Sequence, residues 1–67
     1  MKETPRVGEI WAVWYSGIES VGFVWYFLML DFDDEHWHAL RLDDGSMFGP
    51  AGTAARLRFD QPTKRIA

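Results

Sequence analysis

The chain has 67 residues, no cysteine and a formal net charge of −3. This length permits one domain, and the lack of cysteine excludes disulfides and thiolate chemistry. The negative charge disfavours a protein built mainly to bind nucleic acid. The longest nearly unbroken apolar run, Val21 to Leu30, is about half as long as a bilayer-spanning helix requires. No cationic stretch followed by an apolar one opens the chain, so we expect a small cytoplasmic domain without a signal peptide or membrane span.

Aromatic side chains are abundant for this length, with four tryptophans, two tyrosines and five phenylalanines. Each such ring buries about 150–250 Å² in a folded protein. A small domain needs most of that area for stability. We therefore expect most of the rings to pack inside the monomer or against another copy, rather than to hold a ligand.

The first part of the chain predicts three strands. Residues 1–6 are polar and predict a loose lead-in, and Val7 to Tyr15 is rich in β-branched and aromatic residues, which favours a strand. Val21 to Phe32 is the strongest strand candidate, because no helix cap precedes it and its composition favours extended structure. An acidic turn at residues 33–35 separates it from a third strand, His36 to Leu42.

The remaining part predicts shorter elements. Asp43-Asp44-Gly45 is a hairpin signal because aspartate and glycine tolerate positive φ, and Ser46 to Phe48 would follow as a short strand. The segment 49–52 contains glycine and proline and breaks that strand. Thr53 to Phe59 alternates in a way that favours a strand, although its Ala-Ala-Arg-Leu-Arg composition also suits a short helical turn. Thr63 to Ile66 is a candidate closing strand.

Five or six short strands with turns every 8–12 residues predict an all-β fold, a small antiparallel barrel or sandwich. The opening Gly8-Glu9-Ile10-Trp11-Ala12-Val13 is similar to the first strand of many SH3-like small barrels, and mRNA-interferase toxins begin in much the same way. The end, Thr63-Lys64-Arg65-Ile66, resembles the last strand of compact SH3-like proteins of bacteria and phages. The resemblance implies one SH3-like barrel domain over residues 1–67 in a bacterial or phage setting. The Ala-Leu-Tyr-Asp-Tyr pattern of eukaryotic peptide-binding SH3 domains is absent.

The second strand is apolar on both of its faces. Under strict alternation, one face carries Val21, Phe23, Trp25, Phe27 and Met29, and the other carries Val24, Tyr26, Leu28, Leu30 and Phe32. A small barrel has one interior, so the second face must be covered by the chain itself, by a second copy or by a different protein. We favour a homodimer, and we predict a partner interface that contains Phe23, Trp25, Phe27 and Met29.

Charge is distributed unevenly along the chain. Residues 1–49 carry three basic and nine acidic side chains, a net charge of −6, whereas residues 50–67 carry four and one, a net charge of +3. The basic side chains Arg56, Arg58, Lys64 and Arg65, with Phe59 as a stacking partner, are candidate nucleic-acid contacts. Alternatively, they are outward charges on edge strands, where they discourage aggregation.

Two polar clusters invite a chemical interpretation. His36 and His38 are two residues apart and could bind a metal ion with a carboxylate from residues 33–35, but two ligands without a defined third are a weak site, and we expect no metal. The acidic residues Asp31, Asp33, Asp34 and Glu35 either form a solvated turn or attract a basic partner.

Catalysis has little support in this sequence. The only plausible ribonuclease set is His38, Arg41 and Glu35, and no nucleophile elbow or phosphate-binding glycine pattern is present. An aromatic cage for a methylated side chain, built from Trp11, Trp14, Trp25 and Trp37, would take rings that the core needs. We therefore expect no enzyme activity and no cofactor. The expected function is that of a self-associating protein-protein interaction module, with a nucleic-acid-binding barrel and a toxin-like ribonuclease as alternatives.

Overall fold

Five β-strands run through the residues that the structure describes, which are 4–14, 16, 18, 20, 22–43 and 50–67 of a computed structural model. They are β1 (Ile10–Trp14), β2 (Val24–Phe32), β3 (His36–Arg41), β4 (Ala54–Arg58) and β5 (Lys64–Arg65). All neighbouring strands are antiparallel, and the sheet has the order β4-β3-β2-β1-β5. The prediction of a small all-β fold is confirmed, and the single sheet is consistent with a barrel-like shape.

The strand boundaries differ from the prediction at turns that contain glycine. Gly8 and Gly22 have φ of 91° and 83°, a conformation that ends an extended segment, so β1 begins at Ile10 and β2 begins at Val24. Residues 54–58 form a strand and not a helical turn. The predicted Asp43-Asp44-Gly45 hairpin and the strand Ser46 to Phe48 lie wholly or partly outside the described residues.

The segment that precedes β1 contacts the rest of the chain at Pro5, Arg6 and Glu9, and the loose lead-in predicted for residues 1–6 stays a prediction. Pro5 is buried, and the Arg6 N–H donates to Glu9 Oε1 at 2.8 Å. The same carboxylate accepts the Trp11 indole N–H at 3.1 Å and an Arg65 guanidinium N–H at 3.3 Å. The hydrogen bond from Trp11 is the main cause of a lowered Glu9 pKa. Desolvation raises this pKa, and the hydrogen bonds from Arg6 and Arg65 lower it further.

One face of the sheet carries the core. Alternation along each strand directs every second side chain to this face, and its buried members are Trp11, Val13, Phe27, Met29, Trp37, Ala39 and Leu57. Cross-strand pairs join them, since Trp11 lies opposite Phe27 and Met29 lies opposite Ala39. The prediction that most aromatic rings pack inside the monomer or against another copy holds for Trp11, Phe27 and Trp37.

A β-bulge at Leu30 changes which residues of β2 face the core. Met29 pairs with Ala39, but the next pair is Asp31 with His38, so Leu30 is an extra residue. An extra residue reverses the alternation beyond it. Phe32 therefore shares a face with Trp37, and their ring centroids are 5.1 Å apart. The predicted placement of Phe32 with Tyr26 and Leu28 is wrong for this reason.

The described residues include no helix of the length and apolar character needed to cross a bilayer.

Candidate functional site: the outer face of the sheet

Apolar side chains form rows across the sheet face opposite the core. Ile10 pairs with Leu28, Leu28 pairs with Leu40, and Leu40 pairs with Ala54, so one row crosses four strands. Two further rows join Ala12 to Tyr26 and Trp14 to Val24. We call this surface the outer apolar face, and it consists of Ile10, Ala12, Trp14, Val24, Tyr26, Leu28, Leu40 and Ala54.

Part of the outer apolar face is open to solvent. Tyr26 is 38% exposed, and Leu30, at the bulge beside this face, is 44% exposed, whereas Ala12 is only 1% exposed because the chain itself covers it. Leu28 and Leu40 are half-buried by their neighbours. Contiguous apolar surface of this kind marks an interaction site in soluble proteins.

The predicted interface lies mainly on the wrong face of β2. Phe27 and Met29 are 6% and 0% exposed, because both belong to the chain's own core. Trp25 is half-buried and packs against that core, with the Arg41 guanidinium carbon 5.8 Å from its ring centroid. Phe23 is exposed but precedes β2. Both faces of β2 are apolar, so the sequence did not determine which of them would be inside.

A polar cluster around Asp33 lies at one end of the outer face. Asp33 Oδ1 accepts the backbone N–H groups of His36 at 2.9 Å and Glu35 at 3.4 Å. Asp33 Oδ2 is 2.9 Å from His38 Nε2 and 3.5 Å from Arg56 Nη2. The His36 bond is the main cause of a lowered Asp33 pKa; burial opposes it, and Glu35 and His38 reinforce it. The carboxylate thus connects the β2–β3 turn to β3 and β4.

The two histidines are engaged by neighbouring side chains. His36 Nδ1 lies 3.3 Å from Arg56 Nη2, and because arginine only donates, that ring nitrogen is an acceptor. Among the described residues, no three histidine, aspartate or glutamate side chains are grouped so that they could hold a metal ion.

The four predicted nucleic-acid contacts lie on two different strands. Arg56 and Arg58 are on β4, and Lys64 and Arg65 are on β5, which are the two ends of the strand order. Arg58 Nε is 3.8 Å from Asp60 Oδ1, and Arg65 Nη1 is 3.3 Å from Glu9 Oε2. The structure therefore places the basic residues in two separate pairs along the sheet order, each beside carboxylates.

The predicted ribonuclease set does not converge on one surface. His38 lies on the outer side of β3, whereas Arg41 is three residues later and is buried on the core side at 3% exposure. Glu35 lies in the preceding turn. An odd spacing within a strand puts two side chains on opposite faces, so this separation follows from the sequence once β3 is recognised as a strand.

Sequence reasoning missed the contributions of β1 and β3 to the outer apolar face. Ile10 and Trp14 alternate with Trp11 and Val13, and Leu40 alternates with Ala39. The same two-faced apolar pattern that was noted in β2 is therefore also present in β1. This alternation of apolar residues on both faces of β1 is the sequence signal for the surface.

Comparisons with protein-family models, with curated proteins and with solved structures found no match to this chain.

Proposed function

We propose that this chain is a small, non-enzymatic protein-protein interaction module that self-associates through its outer apolar face, in the cytoplasm of a bacterial or phage-infected cell. The observation that carries the proposal is the row of apolar pairs from Ile10 through Leu28 to Leu40, opposite a complete core. The resemblance to SH3-like barrels remains a prediction, supported by the all-β sheet.

The composition of the face favours a second copy as its partner. None of its eight residues carries a charge, so two identical faces meet without like-charge repulsion. A homodimer interface typically has such an apolar centre with polar residues at its rim. The Asp33 cluster supplies polar residues at one end.

The size of the face predicts weak association. One row crosses four strands spaced about 4.8 Å apart, two more rows cross two strands, and the rows are about 7 Å apart, so the surface is at most roughly 15 Å in each direction. Two such faces have at most roughly 450 Å² of flat area, which is below the about 1,000 Å² of total buried area that a stable specific interface needs and is typical of a weak, transient contact. We therefore expect a reversible dimer with a Kd in the micromolar range.

Sedimentation velocity over a range of protein concentrations tests this proposal. The wild type should shift from monomer to dimer as its concentration rises, and Tyr26→Glu should weaken the dimer at least about tenfold, because a charge would be buried at the contact. Leu30→Glu should act in the same direction. Val7→Glu is the matched control, since Val7 is 66% exposed and lies outside the strands.

Two results would contradict the proposal. One is a wild type that stays monomeric at millimolar concentration. The other is a dimer that Tyr26→Glu and Leu30→Glu leave unchanged while circular dichroism confirms that both variants are folded. The nucleic-acid and ribonuclease alternatives stay predictions, because no geometry of the described residues favours either.

A further inference from the structure

β4 lies at one end of the strand order, with β3 on one side only. The Arg41 N–H donates to the Thr53 carbonyl at 2.9 Å, and the Phe59 N–H donates to the Glu35 carbonyl at 3.1 Å. Hydrogen-bonded and non-hydrogen-bonded pairs alternate along an antiparallel ladder. Odd-numbered residues of this segment therefore direct their main-chain groups to β3, and Ala54, Arg56 and Arg58 direct theirs away from the sheet.

One end of this free edge is closed by the chain itself. The Arg58 N–H donates to Gln61 Oε1 at 3.2 Å, and the Gln61 N–H donates to the Arg58 carbonyl at 3.0 Å. Gln61 thus occupies the place that a neighbouring strand would take. At Ala54 and Arg56, no described residue bonds to the outward main-chain groups, so the open part of the edge is centred on Ala55.

Two cavities flank this open part of the edge. One, of about 210 Å³, lies among core-side residues that include Trp25, Phe27 and Arg41. The other, of about 290 Å³, lies among residues that include Leu30, His38 and Arg56. Both cavities are also lined by Ala54 and Ala55. The small methyl groups of these two alanines leave space that larger side chains of a strand would fill.

We propose that the free edge of β4 binds an extended segment of another polypeptide as an added β-strand. In this mode, main-chain hydrogen bonds supply affinity, and alternate side chains enter pockets on the two sides of the strand. Ala54 and Arg56 supply the main-chain groups. The two cavities accept the alternate side chains.

The chemistry of the edge selects an apolar and acidic segment. The cavity beside Trp25 and Phe27 suits an aliphatic side chain of leucine or methionine size. On the other side, the Arg56 side chain is 65% exposed although its Nη2 lies 3.5 Å from Asp33 Oδ2, and β4 carries two arginines and no acidic residue. An acidic side chain opposite Arg56 would form a cross-strand ion pair.

The same features disfavour a second copy at this edge. Pairing of β4 with the β5 edge of another copy would bring Arg56 and Arg58 beside Lys64 and Arg65, which is a like-charge arrangement. Pairing of two β4 edges around Ala55 would offer mainly alanine side chains, which leave both cavities largely empty. The outer apolar face and the β4 edge are therefore two different contact surfaces.

A peptide titration followed by NMR of the ¹⁵N-labelled full chain tests the proposal. The probe is an acetylated and amidated octapeptide in which leucine alternates with glutamate, and the matched control peptide has lysine in place of glutamate. We expect the glutamate peptide to perturb the amide signals of residues 54–56 with a Kd in the micromolar to low millimolar range, and the lysine peptide to bind at least tenfold more weakly.

Two variants separate strand addition from nonspecific attraction. Ala54→Pro removes an outward N–H and leaves the ladder with β3 intact, as proline is tolerated where the N–H of an edge strand faces away; it should weaken binding at least tenfold. Arg56→Glu should reverse the preference between the two peptides. Lys64→Glu, the same charge change on β5, should leave both affinities unchanged.

Three outcomes would overturn the proposal. The first is the absence of any perturbation at residues 54–56 with either peptide. The second is an unchanged affinity in Ala54→Pro. The third is a perturbation of these amides by protein concentration alone, which would assign the edge to a second copy. The same peptide titration with the Tyr26→Glu variant tests the β4 edge independently of self-association, because this variant lacks the proposed dimer contact.

Discussion

At the scale of single residues, Asp33 connects a turn to two strands outside the core. Its two carboxylate oxygens bind main-chain groups of the β2–β3 turn as well as His38 and Arg56. An acidic residue in a turn after a strand is usually a solvated charge. This interpretation fits Asp34, which makes none of these hydrogen bonds. The contact of Asp33 with Arg56 depends on the tertiary structure, because β4 brings Arg56 beside a turn that is 23 residues earlier in the chain.

The lowered pKa of Asp33 predicts a defined loss of stability in acid. The hydrogen bond from the His36 N–H, followed by those of Glu35 and His38, lowers the pKa from its ordinary value of 3.8 in spite of burial. A carboxylate with a lowered folded-state pKa stabilises the fold fully above its unfolded pKa, and that contribution is lost as the pH falls through the folded value. Asp33→Asn should therefore lower the free energy of unfolding at pH 7 and make its decrease below about pH 4 shallower.

Urea unfolding at pH 7, 4 and 2.5 measures this effect. Asp34→Asn is the control, because the neighbouring carboxylate is exposed and lies outside the hydrogen-bond network. Equal pH profiles for Asp33→Asn and Asp34→Asn would contradict the role assigned to Asp33.

At the scale of secondary structure, the bulge at Leu30 decides how β2 uses its side chains. Before the bulge, Phe27 and Met29 face the core; after it, Phe32 does so and packs against Trp37 and Phe59, with a centroid separation of 5.2 Å for Phe59. Phe27 and Met29 thus belong to the buried core, whereas Phe32 and Phe59 are 37% and 48% exposed and form a partly exposed aromatic group beside Trp37. The bulge also leaves Leu30 exposed beside the outer apolar face.

The turn that leads into β4 depends on a glycine. Gly52 has a φ of +90°, and its N–H donates to the Arg41 carbonyl at 2.6 Å. A Cβ at this position would meet no atom within 4 Å, so the effect of a substitution is due to backbone strain alone. Gly52→Ala should lower the free energy of unfolding by about 1–2 kcal/mol.

Chemical denaturation of two variants checks this prediction. Gly52→Asn should destabilise the protein less than Gly52→Ala, because asparagine tolerates positive φ better than other residues with a Cβ. A Gly52→Ala protein as stable as the wild type would mean that the turn adopts a different backbone conformation in solution.

At the scale of the whole molecule, a core with seven buried side chains among the described residues coexists with a partly exposed apolar face. Small domains bury a lower fraction of their surface than large ones and are correspondingly marginal in stability. Association of two folded copies would add stability, since a partner that binds only the folded state shifts the unfolding equilibrium. Self-association and folding are therefore linked in this proposal.

This linkage predicts a melting temperature that depends on protein concentration. A partner at about 100 times Kd stabilises the folded state by about 2.7 kcal/mol, and about 1 kcal/mol shifts the Tm of a domain of this size by about 4–8 °C. At about 100 times Kd, the wild-type Tm should be roughly 10–20 °C higher than in dilute solution. Tyr26→Glu should have a Tm that is nearly independent of protein concentration. If its Tm rises as much as that of the wild type, the stabilisation does not come from contacts of the outer apolar face.

Much of the fold followed from local patterns. Turn residues such as Gly52 separated the strands, and β-branched and aromatic runs identified β1, β2 and β3. Alternation in residues 53–59 favoured the strand β4 over a helical turn. These signals lie within a few residues of one another, so the primary structure contains them completely.

The location of the candidate site did not follow in the same way. The apolar excess in β2 was visible, but two of the four predicted interface residues, Phe27 and Met29, are core residues, and only Phe23 and Trp25 of that set are accessible. The four basic residues that are candidate nucleic-acid contacts lie on β4 and β5, at opposite ends of the strand order. In both cases, local patterns do not determine the side or the edge of the sheet on which a residue lies.

The sequence alone therefore determined the all-β class, the position of most strands and the presence of more apolar surface than one core requires. Only the tertiary structure decided which face of β2 is buried, how the Leu30 bulge redirects Phe32, and where the edge of β4 is open. The physical reason is that alternation defines two faces of a strand but does not say which one is inside. That choice depends on contacts between strands that are far apart in the chain.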